Sequence, residues 1–120
     1  MTNPSEHLGC QLWLEPDDAP DRIELLFARA AESGLGWVRL FLMWPWIEPQ
    51  PEDWHFDAFD AAFNAAARHG IRIKATLTAN SGPWWLGTPS MLHSHTGFLA
   101  PEQRVPMRRY IRACVERYAH

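Results

Sequence analysis

The sequence predicts an α/β protein built from β-α units with parallel strands. Three observations predict it. Short apolar runs alternate with segments of helical hydrophobic spacing. The runs begin at residues 8, 37 and 71, so they are separated by 29 and 34 residues, the length of one β-α unit, which makes parallel strands with right-handed crossovers. Glycines, Gly34 and Gly70, stand where the first two helical segments should close.

Taken in order, Leu8 to Leu14 (LGCQLWL) is an apolar run stopped by Glu15-Pro16-Asp17-Asp18 and reads as a buried strand. Asp18 or Asp21 is placed to cap the next helix, and Pro20 suits its first turn. Ile23, Leu26, Phe27, Ala30 and Ala31 then recur at helical spacing. Trp37 to Met43 (WVRLFLM) is the second strand, followed by a proline-rich loop from Trp44 to Phe56. Asp57 is expected to cap a helix bearing Phe59, Ala62, Phe63 and Ala66. Ile71 to Thr78 is the third strand, and a long segment from Ala79 to Ala100 follows it. Pro101 opens a third helix with Met107, Tyr110, Ile111, Cys114 and Val115 on one side.

Two architectures use such units, the doubly wound open sheet and the closed eightfold barrel. Three strands complete neither. A barrel takes about 250 residues, so a chain of 120 residues is expected to be the N-terminal portion of a longer protein.

Composition narrows the function. Hydrophobic residues make up 47% and charged residues 21%, a globular balance. A net charge of −3 and a pI near 6.0 offer no positive field for phosphates, so nucleic acid is not an expected partner. No apolar run reaches the roughly 18 residues that cross a bilayer, so no membrane is expected either. Met1 to Cys10 lacks the basic and apolar regions of a secretory signal. Cys10 and Cys114 read as buried free thiols in a reducing compartment. The expected location is cytoplasmic.

Both architectures bind ligands at the carboxyl ends of their strands. The loops there contain no glycine-rich phosphate signature and no nucleophile elbow, and no cofactor is expected. They are aromatic instead. Six of the seven tryptophans, Trp13, Trp44, Trp46, Trp54, Trp84 and Trp85, fall in these loops. Indole rings match the C–H face of a pyranose, and their N–H groups can reach sugar hydroxyls. The set therefore points to a carbohydrate cleft, although any one ring can equally anchor a loop. His93 and His95 form an HxH pair without an evident third ligand, so they are expected to bond a polar ligand or pack the loop rather than hold metal.

Arg39 lies within an apolar strand and is expected to point inward toward a carboxylate of another strand. Arg72 and Lys74 are expected in structural ion pairs. Glu48, beside Pro49, is suited to an active-site acid but reads better as a carboxylate bonded to nearby backbone amides. No convincing catalytic pair assembles from Glu15, Asp17, Asp18, Glu48, Glu52 and Asp53.

Trp37-Val38-Arg39-Leu40, Trp44-Pro45-Trp46-Ile47-Glu48-Pro49 and His69-Gly70-Ile71-Arg72-Ile73 resemble the N-terminal third of retaining glycoside hydrolase barrels. Gly82-Pro83-Trp84-Trp85-Leu86 and Glu116-Arg117-Tyr118 look most like the family 42 β-galactosidases. The resemblance runs from about Leu8 onward. It implies the first three βα units of a parallel (β/α)8 barrel, with residues 1–120 an N-terminal fragment of the barrel domain. It implies retaining hydrolysis of terminal β-D-galactosides. Its catalytic acid and nucleophile, glutamates of strands four and seven, are expected beyond residue 120, so this stretch alone is expected to be inactive. Arg39 matches a strand-two arginine that keeps the nucleophile ionised in clan relatives. The family commonly has sugar-contacting arginines where this sequence reads His93-Ser94-His95-Thr96, which leaves a glucoside- or mannoside-cleaving relative open. The expected substrate contacts are Trp13, Arg39, Trp44, Trp84, Trp85, His93 and His95, with a carbohydrate as partner and no metal. A homo-oligomer of the full-length protein stays open. So does a different class, a non-catalytic carbohydrate-binding half-barrel.

Overall fold

The structure, a computed structural model, describes residues 6–77, 82–86 and 104–119. Its elements in chain order are β1 (Gly9–Gln11), α1 (Pro20–Glu32), β2 (Trp37–Leu42), α2 (Trp44–Ile47), α3 (Asp57–Arg68), β3 (Arg72–Leu77), a 3-10 turn (Trp84–Leu86) and α4 (Arg104–Tyr118). The three strands are parallel, in the order β1-β2-β3. The chain divides into two compact units, Met1–Phe41 with Phe56–Thr76, and Leu42–His55 with Leu77–His120.

The first unit holds the sheet with α1 and α3. Gly9 pairs with Trp37, Cys10 with Val38 and Gln11 with Arg39. Any side chain at Gly9 would collide with the indole of Trp37, since a Cβ there would lie 2.0 Å from the ring. β1, Gly9–Gln11, is shorter than the expected Leu8 to Leu14, and the expected stop at residues 15–18 folds into a turn. Asp18 N–H donates to Glu15 O at 3.1 Å, and Glu15 N–H donates to Asp18 Oδ2 at 2.8 Å. That bond withdraws Asp18 from helix capping. The N-cap of α1 is Ala19, with no side-chain cap, and Pro20 follows it. Pro20 has no amide hydrogen to leave unpaired. Asp57 likewise does not cap: it is the first residue of α3, after Phe56. Acids in the first turns (Asp21; Asp57, Asp60) and arginines in the last (Arg29; Arg68) complement the helix dipoles. Gly34 and Gly70 end the helices at φ +80° and +67°, as expected.

β2 alternates. Val38 and Leu40 are buried, whereas Arg39 is exposed and Trp37 and Phe41 are half-buried. Ile23, Phe27 and Ala30 of α1 and Phe59, Ala62, Ala65 and Ala66 of α3 supply the rest of the unit's core. Small residues let α1 and α3 pack directly on each other. At the rim, Glu24 of α1 accepts from Arg68 and, at 2.6 Å, bonds His69 Nε2. The Arg68 hydrogen bond, then that of His69, holds the Glu24 carboxyl below its ordinary pKa.

The second unit contains α2, α4 and the 3-10 turn. α2 was not expected inside the proline-rich loop; it buries Trp44 and Ile47. On α4 only Tyr110 and Cys114 are buried, while Val115, expected on the same side, is exposed. The Tyr110 hydroxyl donates to Leu42 O. Both cysteines are free thiols. Burial pushes Cys114 up to about 12, against an opposing hydrogen bond from Tyr110, and raises half-buried Cys10. Pro101, His93 and His95 lie outside the described residues.

Candidate functional site

On the first unit, parallel pairing puts alternate residues of neighbouring strands on one open face. Trp37, Arg39 and Phe41 of β2 share it with Lys74 and Thr76 of β3. Lys74 Nζ sits 4.2 Å from the centre of the Trp37 ring. Arg39 Nε donates to Thr76 Oγ1 at 3.0 Å, and its guanidinium lies 4.7 Å from the Phe41 ring centre. Phe41 in turn meets Trp13 at 6.3 Å with the rings tilted 51°. Trp13 is 50% exposed, and its indole N–H donates to Glu15 Oε1 at 2.7 Å.

Arg39 meets a hydroxyl and an aromatic ring, and no carboxylate pairs with it among the described residues. Arg72 and Lys74 make no ion pair among the described residues; Lys74 uses the Trp37 π-face instead.

The second unit is organised around Glu48, which is 0% exposed. One carboxylate oxygen accepts from the Trp44 indole at 2.8 Å. The other accepts from the Glu52 amide at 2.7 Å and from Arg109 Nη2 at 2.9 Å. The first two donors are neutral and the third is charged, so the buried carboxylate is both bonded and neutralised. The backbone contributes too: Trp85 Nε1 donates to Glu48 O at 2.9 Å, and Trp84 Nε1 to Pro49 O at 3.1 Å. Trp44 stacks on Tyr110, with centroids 5.1 Å apart and planes 12° apart, and meets Trp85 edge-on at 6.0 Å. Glu48 is thus the amide-bonded carboxylate that its loop position suggested.

Trp44 has no open face, so it belongs to the framework of this loop and not to a sugar-facing surface; its ring is consumed by Tyr110 and Trp85. Trp84 is 62% exposed and Trp85 half-buried. Trp46 and Trp54 are half-buried. The indole N–H groups of Trp13, Trp44, Trp84 and Trp85 are all taken by protein acceptors. Their N–H groups being taken, Trp13 and Trp84 expose indole surface without the free hydrogen-bond donors expected of them. Sequence reasoning missed Arg109 as the partner of Glu48. It stands 61 positions away, and no local pattern links the two. Among the described residues no cluster of three His, Cys, Asp or Glu side chains is placed to hold a metal, and no helix is long and apolar enough to cross a membrane.

Comparison with known proteins sets this geometry in context. The family model Glyco_hydro_42, described as Beta-galactosidase, matches residues 14–110. Among the solved structures that match is the crystal structure of a β-galactosidase from the psychrophilic Marinomonas ef1, at a TM-score of 0.74 and 24% sequence identity. The match covers 94% of this chain and 20% of that one, so the chain spans about a fifth of that enzyme's length. No match was found among curated proteins. The three parallel βα units have the fold of part of a (β/α)8 barrel.

Proposed function

The chain belongs to the Glyco_hydro_42 (Beta-galactosidase) family, and from that premise we propose that the whole protein hydrolyses terminal β-D-galactosides with retention. The family match over residues 14–110 carries this reading. The exposed indoles of Trp13 and Trp84 support it, because the patch of C–H bonds on one face of galactose packs on such a ring. Residues 1–120 are the N-terminal part of the barrel domain and supply part of the sugar cleft. Trp13, Arg39, Trp84 and Trp85 contact substrate, together with His93 and His95. Arg39 has donors beyond the one given to Thr76 to bond a hydroxyl or a carboxylate of the completed barrel. Retention requires two carboxyl groups about 5–5.5 Å apart; these are glutamates beyond residue 120. The protein works in the cytoplasm and needs neither metal nor cofactor.

The test is a panel of aryl β-D-galactoside, β-D-glucoside and β-D-mannoside assayed with the purified complete protein. The galactoside should show the highest kcat/KM. A higher value for the glucoside or mannoside moves the protein to another specificity of the same clan, and binding without turnover makes it a non-catalytic sugar-binding protein.

A further inference from the structure

We propose that Glu15 is a positioning residue that holds the ring of Trp13 as a sugar-stacking platform on the open face of the sheet, an inference that rests on the galactoside reading above.

Trp13 is anchored at both ends of its indole. Its N–H end is held by Glu15 Oε1 at 2.7 Å, and its ring leans on Phe41. Half of the side chain stays open to solvent. A ring with its donor satisfied and its orientation set offers one thing to a ligand, an apolar face. That is the surface a pyranose needs.

Glu15 is itself held. Its amide donates to Asp18 Oδ2 at 2.8 Å, its carbonyl accepts from the Asp18 amide, and Arg22 of α1 grips the same Asp18 oxygen at 2.6 Å. A continuous series of hydrogen bonds therefore runs from the first turns of α1, through Asp18 and Glu15, to the indole. On the other side a second series runs from Trp13 through Phe41 and Arg39 to Thr76 of β3. The ring sits between two fixed supports, and its bound orientation exists before sugar arrives. Preorganisation of this kind reduces the ordering cost of binding. Glu15 touches no reacting atom in this scheme. It acts only through Trp13, and it needs an acceptor oxygen, not a charge.

The experiment measures kcat and KM of the complete protein on an aryl β-D-galactoside for wild type, Glu15→Ala, Glu15→Gln, Trp13→Phe and the double variant Trp13→Phe/Glu15→Ala. Glu15→Ala should raise KM about 3- to 10-fold with kcat nearly unchanged, the mark of lost binding common to ground and transition states. Glu15→Gln keeps an acceptor oxygen and should recover most of that loss. The double variant should match Trp13→Phe alone, because Glu15 has nothing left to hold. An unchanged KM in Glu15→Ala overturns the proposal. So does a Glu15→Gln as impaired as Glu15→Ala, or effects of the two substitutions that multiply. A wild-type protein that turns over no β-galactoside overturns the galactoside reading, and this inference with it.

Discussion

The two units of this chain are stabilised by different physics. The core of the first is apolar throughout: Ile23, Phe27, Val38, Leu40, Phe59 and a row of alanines. Its charged groups, Glu24, Arg68 and His69, stay at the rim. The second is organised around Glu48, the one buried charged group among the described residues, with Trp44, Glu52 and Arg109 as its donors. The contrast teaches where tolerance lies. An apolar core is sensitive to volume and has no charge of its own to compensate. A buried carboxylate depends on each donor, because losing one leaves the charge under-compensated.

The largest expected effect sharpens that contrast. Arg109→Ala leaves the Glu48 carboxylate buried without its counter-ion and should destabilise the protein by about 3–5 kcal/mol, read from denaturant or thermal unfolding of the complete protein. A loss below about 1 kcal/mol, the range of exposed ion pairs, would erase the distinction between the units. In the first unit, Ala62→Leu puts extra volume where Ala62 is fully buried. It should cost about 1–3 kcal/mol, with no dependence on pH between 5 and 8, where Ala62 has nothing to titrate.

Smaller effects follow. Glu52 sits at φ +62° in the turn closed by Asp53 N–H to Gln50 O, next to Pro51. That position favours glycine. Its contribution to Glu48 is a backbone N–H, which glycine keeps, so Glu52→Gly should stabilise by up to about 1 kcal/mol after the unfolded-state entropy of glycine is counted. The smallest effect belongs to the exposed rim of the first unit. The Glu24 pKa is lowered in the folded state by Arg68 and His69. Its contribution is therefore present above the ordinary carboxyl pKa and is lost as pH falls through the lowered value. Wild type should exceed Glu24→Gln in stability near neutral pH, and the two should converge in acid. A gap that widened in acid would contradict the lowered pKa.

The first unit was legible in the sequence because its information is local. A short apolar run exposed β2, period 3.6 exposed α1 and α3, and Gly34 and Gly70 marked their ends. The misreadings there were also local competitions: Asp18 bonds the Glu15 amide in a turn instead of capping α1. The second unit was barely legible. Trp44 to Ile47 carries two tryptophans and a proline, a composition that hides a single helical turn. The tryptophans stood out as residues, but which faces they leave open depends on acceptors elsewhere in the chain: Glu48 and Pro49 carbonyls for Trp85 and Trp84, and Tyr110 stacked on Trp44. Position in a loop suggested that Glu48 bonds amides, and nothing local could name Arg109 as its partner.

The most direct test of the function proposed for the whole protein is the configuration of the sugar first released. Proton NMR of the complete protein acting on an aryl β-D-galactoside should show β-galactose appearing first and the α-anomer growing only by mutarotation, as retention through paired carboxyl groups requires. α-Galactose as the first product, or no release of galactose at all, would contradict the account.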